Sequence, residues 1–235
     1  MKRALILGAL ILASIINPIS GISKTASELI STARILGRDP SALGRVRFSD
    51  TQILDFINEG QRDTIAGTLC IRKEYTFDTS SGTAYYPMPG DYIRMDRLLS
   101  DGERLEEKSP LKLDQESTTW ETDTGPPTNY FTNFSSRTKI GFHPYPVTGG
   151  STSTIKAEYY AQVYDLSTSS TPFNSITEFI PYQQMLAYYA AAQMLYIDGL
   201  ANAADRYMQR YSAYRAELME YCRNKNALPN KQAAK

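Results

Sequence analysis

The chain has 235 residues, 42% of them apolar and 21% charged, enough to bury a genuine core as one domain or two small ones and too apolar for a disordered polypeptide. Lysine plus arginine equal aspartate plus glutamate at 25 each, which excludes a global basic field of the kind that grips a phosphate backbone. The two cysteines, Cys70 and Cys222, are far apart and read as small buried hydrophobes rather than as a disulfide framework.

At the amino terminus Lys2 and Arg3 precede an apolar run from Ala4 to Ile16, then Asn17-Pro18 and the small residues Ser20, Gly21 and Ser23. That is the layout of a secretory signal peptide, and the run falls short of the roughly 20 residues of a membrane span. Export with cleavage is one expectation for residues 1–23; a retained apolar segment packed against a neighbour and a mis-set start are the others. Thr25-x-x-Glu28 is a capping box ahead of Leu29, Ile30, Ala33 and Leu36, and Gly37 with Asp39-Pro40 ends that helix. Ser49-x-x-Gln52 repeats the device. Ile53, Phe56, Ile57, Gly60 and Thr64 then fall on one face, with Asp55, Asn58, Glu59 and Arg62 largely on the other, and the pattern predicts a helix to about Leu69.

From Arg72 the period changes. Tyr75, Phe77, Tyr85, Ile93, Ile140, Ile155, Ala157 and Tyr159 sit in short alternating or β-branched runs. Ser80-Ser81-Gly82, Pro89-Gly90, Asp101-Gly102, Gly125-Pro126-Pro127 and Thr148-Gly149-Gly150 separate them as turn signals. Pro110 to Gln115 lack β-branching and suit one helical turn. Helical sequence returns after Asp165: Pro181 fits a first turn, Tyr182, Met185, Leu186, Tyr189, Ala192 and Tyr196 recur at helical spacing, and Gly199 caps the end. A last helix starts near Asn202. On it Tyr207, Tyr211, Tyr214, Leu218 and Tyr221 follow at steps of four and three, one seam on one face. Helix-helix core is the main reading of this seam and a ligand-stacking aromatic box the alternative. Tyrosine hydroxyls want partners, so the seam is expected to be half-buried in one subunit and completed by a neighbouring chain.

The layout is α+β: an antiparallel helical bundle of two N-terminal and two C-terminal helices with an inserted antiparallel β-rich module. The expected boundaries are 1–23 for the apolar segment, 24–71 for the first helix pair, 72–165 for the β insertion, 166–226 for the second helix pair and 227–235 for a tail.

The residues that could carry chemistry are few. His143, the single histidine, lies in Phe142-His143-Pro144-Tyr145-Pro146 and reads as a structural or loop histidine, with no cysteine pair spaced to join it on zinc. Asp123-Thr124-Gly125 matches the aspartic-protease tripeptide, but polar Glu121 and Thr122 precede it and Pro126-Pro127 follow, so it reads as a turn. Asp96, Asp101, Glu103, Glu106 and Glu107 alternate with Arg94, Arg97, Arg104 and Lys108, the pattern of a solvated mixed-charge surface rather than a metal cage. No phosphate loop, nucleophile elbow or dinucleotide fingerprint occurs, so no catalytic, cofactor-binding or metal-ligating residue and no cofactor is assigned.

Several motifs recur in a fixed order: the helix from Phe48-Ser49-Asp50 through Leu54-x-x-Ile57-Asn58-Glu59-Gly60-Gln61-Arg62, then Tyr85-Tyr86-x-Met88-Pro89-Gly90-Asp91-Tyr92-Ile93-Arg94, Leu113-Asp114 and Trp120. Gly125-Pro126-Pro127-x-x-Tyr130, Ile140-x-Phe142-x-Pro144-x-Pro146 and the final helix pair follow. Together they resemble the head-to-tail adaptor proteins of tailed bacteriophages and are similar in layout to the tail tubular protein A of short-tailed phages. The resemblance runs from about Ser23 to Asn224 and rests on the order of the motifs, each being weak alone. It implies a structural virion protein without catalytic residues, at the head-tail junction. Such a protein forms a homo-oligomeric ring, usually of twelve copies, between the portal protein and a tail or nozzle protein, and DNA passes through its channel without specific binding. It also implies a terminal extension laid into portal clefts, for which the tail with Leu228, Pro229, Asn230, Lys231 and Lys235 is the candidate. A secreted or periplasmic binding module is the rival reading, and an enzyme of unrecognised type a third.

Overall fold

A computed structural model describes residues 23–39, 46–80, 83, 85–132, 136, 138–146 and 153–227. The signal-like run before Ser23 and the tail residues Leu228, Pro229, Asn230, Lys231 and Lys235 lie outside the described residues. Among the described residues no helix is long and apolar enough to cross a membrane.

Both capping boxes form. Thr25 accepts from the Glu28 N–H while the Glu28 carboxylate accepts from the Thr25 N–H at 2.7 Å, opening α1 (Ala26–Leu36). Ser49 and Gln52 repeat the exchange at the start of α2 (Asp50–Thr68). Each such cap contributes on the order of 1 kcal/mol. α2 stops at Leu69, whose positive φ of 51° breaks the helical path while its N–H still donates to Ile65 O.

Among the described residues eight strands follow: β1 (Arg72–Asp78), β2 (Tyr85–Pro87), β3 (Tyr92–Ser100), β4 (Glu103–Arg104), β5 (Glu106–Glu107), β6 (Asn129–Thr132), β7 (Lys139–His143) and β8 (Thr154–Ala161). They make two four-stranded sheets, β1-β8-β3-β4 and β2-β7-β6-β5, antiparallel except where β5 meets β6. Residues 103–107 cross from one sheet to the other through buried Leu105. The turn at Pro110 is a seven-residue helix, α3 (Pro110–Glu116), capped by Ser109 with proline in its first turn. α4 (Gln184–Ile197) and α5 (Ala201–Ala227) are the last described elements, joined by a turn with Gly199 at φ 73°. Pro181 lies one step earlier than expected, inside a 3-10 turn at Thr177–Tyr182 that leads into α4.

The fold is α+β, with five helices among the described residues. One continuous apolar cluster draws on both parts, from Leu29, Ile53 and Ile57 through Leu98, Ile140, Phe142 and Ile155 to Met185. A satellite of Leu113, Trp120 and Phe131 sits beneath α3, where the indole N–H donates to Asp114 at 2.7 Å.

Two expectations are corrected. Asn58 does not face solvent: it is 6% exposed, and Gln61 is fully buried. Both polar side chains stand in for a missing strand partner along the segment after β8. The Leu166 N–H donates to Asn58 Oδ1 at 2.8 Å, Gln61 Nε2 donates to Tyr164 O at 3.0 Å, and the Phe173 N–H donates to Gln61 Oε1 at 2.6 Å. A helix face that must satisfy a loop's backbone needs amides, not hydrocarbon. The cysteines, read as separate thiols, form a disulfide: Cys70 just past α2 and Cys222 on α5 stand 5.4 Å apart at Cα, within bridging range.

Candidate functional site

The seam on α5 meets α4 within the same chain. Tyr207 stacks on Tyr188 with ring centres 6.1 Å apart, Tyr214 meets the same ring at 6.0 Å, Tyr211 meets Tyr189 at 5.0 Å and Tyr221 meets Tyr182, in the 3-10 turn before α4, at 6.5 Å. Leu218 is fully buried and Tyr211 nearly so, whereas Tyr207, Tyr214 and Tyr221 are half-buried. Aromatic pairs at these separations add to the area they bury, so the α4–α5 hairpin is held along its length by rings.

The hydroxyl of Tyr211 reaches across to α2. It donates to the Asp63 carboxylate at 2.6 Å, lies 3.0 Å from Thr64 Oγ1 and 3.3 Å from Gly60 O. Burial, and then the bond to Asp63, hold its ionisation well above the ordinary tyrosine range. Arg215 pairs with the same carboxylate at 3.2 Å. Gly60 also lets α2 approach α4 closely, since a Cβ there would stand 2.9 Å from the Tyr189 ring. About two turns beyond the Asp63–Arg215 pair, the disulfide ties the end of α2 to α5 covalently.

The other flank of the seam is cationic. The Arg210 guanidinium sits over the rings of Tyr188 and Tyr207 at 5.7 and 6.0 Å. With Arg38, Arg206 and Tyr207 it borders a small cavity of about 190 Å³. At the α4–α5 turn, Ile197 is 64% exposed and Leu200 42% exposed. The α1–α2 connection meets this end through Arg47, which pairs with Asp198 at 2.8 Å.

In the β region a larger cleft of about 710 Å³ opens between β3 and the β5–β6 edge, lined by Tyr92, Met95, Arg97, Glu106 and Tyr130 among others. The expected mixed-charge surface is there, and one of its arginines, Arg97, binds a buried carboxylate that the pattern did not include. Glu158 is 6% exposed, takes two bonds from Arg97 at 2.7 and 2.5 Å, and lies near Arg72 and Lys156. The Arg97 bonds hold its ionisation below the usual carboxylate range. Nothing in the sequence marks it, because the arginines reach it across strands from positions 61 and 86 residues away.

His143 closes β7, edge-on to Trp120, with Nε2 3.4 Å from the Asp123 carboxylate. Asp123-Thr124-Gly125 forms a connection in which Thr124 bridges Tyr145. Among the described residues no group of three or more His, Cys, Asp or Glu side chains is gathered to hold a metal ion.

A family model described as SU10 adaptor protein matches residues 24–232. No curated protein matches the chain.

Proposed function

The chain belongs to the SU10 adaptor protein family, and we propose that it is a ring subunit, twelve to the ring, seated between portal and tail and continuing the DNA channel. The family is one of phage head-to-tail adaptors, a structural class rather than an enzyme class, whose place is the head-tail junction of the virion. The match over residues 24–232 carries the proposal. The exported binding module draws no support from it.

Three features support the finer reading. Residues 24–71 and 166–226 contribute α1, α2, α4 and α5, which we read as one antiparallel bundle around the residues 72–165 insertion. Each helix pair is antiparallel, since Arg34 near the end of α1 pairs with Asp50 at the start of α2, and Tyr182 and Tyr188 meet Tyr221 and Tyr207 in reversed order. Lys24 bonds Gln183 and Gln184 at one end, while Gly37 abuts Met194 at the other, so α1 runs parallel to α4 across the pairs. Asp63 and Cys70 meet Arg215 and Cys222 in the same order along α5. Balanced charge suits a DNA channel, because many lysine and arginine contacts to phosphate would act as a salt-dependent brake.

The tail from Leu228 to Lys235 is the proposed portal-docking arm: Pro229 cannot continue a helix, and Lys231 and Lys235 add cationic contacts. Phage grown without the protein should yield DNA-filled heads that lack tails, and added purified chain should restore tail attachment. A chain deleted of residues 228–235 should melt at the unchanged temperature yet fail to join heads. Tails that attach without the protein would refute the adaptor reading.

A further inference from the structure

We propose that neighbouring copies meet through the cationic, aromatic flank of α5 on one subunit and an acidic stripe of α2 on the next. This rests on the ring reading above and specifies its lateral contact. Tyr211 and Arg215 on α5 turn toward α2 of their own chain, where both meet Asp63. At 100° per residue, Arg206 and Arg210 lie on the other flank of the tyrosine seam. Both are exposed, and with Arg38 they edge the cavity beside Tyr207. None of these three arginines forms an ion pair among the described residues, whereas Arg47 and Arg215 nearby both do. Arg210 is already held over two tyrosine rings, so less side-chain freedom is lost when a carboxylate arrives.

The complement is on the same chain. α2 turns Ile53, Ile57, Gly60 and Thr64 inward, and its outward side carries Asp55 and Glu59, one turn apart and exposed. Neither carboxylate forms an ion pair among the described residues, and Glu59 lies beside the Tyr189 hydroxyl. Like charges four residues apart disfavour a helix unless something opposite neutralises them. Unpaired cations exposed along α5 and unpaired anions exposed along α2 make a heterologous pair, the kind that closes into a ring. A nucleic-acid phosphate is the other anion that three arginines fit; a second copy is favoured because the chain itself supplies the matching carboxylates and has no net charge.

The test uses the full chain, with ring yield read by native mass spectrometry and the fold of each monomer by circular dichroism. Arg206→Glu with Arg210→Glu should lower ring yield at least tenfold, and so should Asp55→Lys with Glu59→Lys. The chain carrying all four substitutions should assemble again, since each interface then has its charges exchanged. Wild-type ring yield from folded R206E/R210E, or a folded fourfold variant that stays monomeric, overturns the contact. R206E/R210E rings that form normally but lose binding to duplex DNA overturn it too and assign the flank to nucleic acid. A wild-type chain that never forms rings, alone or with portal, overturns the ring reading and this contact with it.

Discussion

At the scale of single residues, the bond network around Tyr211 decides how α2 and α5 are joined. Removing its hydroxyl leaves Asp63 with Arg215 alone, so Tyr211→Phe should lower the unfolding free energy by about 1–3 kcal/mol, read from urea denaturation. Tyr211 ionises well above the ordinary value of 10 in the folded state, through burial first and the Asp63 bond second. Its contribution is therefore complete below about pH 10 and is lost as pH rises toward the folded-state value. Tyr130 and Tyr159 are shifted the same way, chiefly by burial. Stability should be flat from neutrality to about pH 10 and fall above it, less steeply in Tyr211→Phe; an unchanged alkaline slope would contradict the assignment. Leu218, fully buried, makes the companion case: Leu218→Ala should cost about 2–5 kcal/mol. A smaller loss with failed ring assembly would move that position to the subunit boundary.

At the scale of elements, the two capping boxes, α3 and the strand-like runs were legible because each is written in a few adjacent residues. The amide clamp was not. Asn58 and Gln61 satisfy the backbone of a segment more than a hundred residues away, and a helical wheel assigns polar residues to water by default. Gln61→Ala should strand the Phe173 N–H, cost about 1–3 kcal/mol and loosen residues 164–173 in hydrogen exchange. Unaltered protection there would contradict the clamp. The disulfide was hidden for a similar reason: 152 residues separate its cysteines, and only the packing of α2 against α5 brings them together. Closing so long a loop restricts the unfolded chain, so joint Cys70→Ala and Cys222→Ala should cost about 2–5 kcal/mol, and a reductant should do the same to the wild type. Two free thiols titrated in the unreduced wild-type protein would refute the bridge.

At the scale of the whole molecule, helix pair, β insertion, helix pair was readable because hydrophobic period changes abruptly at Arg72 and again after Asp165. The pairing of the strands was not, since β1-β8-β3 joins segments some 60 to 80 residues apart in sequence and turn signals carry only local information. Tyr211 and Leu218 are buried within the chain and Tyr207, Tyr214 and Tyr221 half-buried; which chain covers the remaining surface of the three is a property of the assembly. The stiff α4–α5 hairpin, cross-braced to α2 by Tyr211, Arg215 and the disulfide, suits a body that transmits lateral contacts around a ring. The most direct measurement is electron microscopy of the purified full chain added to portal-bearing heads that lack it. The account predicts a closed ring of twelve subunits stacked on the portal vertex, with an open axial channel. Heads whose portal vertex stays bare, with the added protein folded and monomeric in solution, would contradict it.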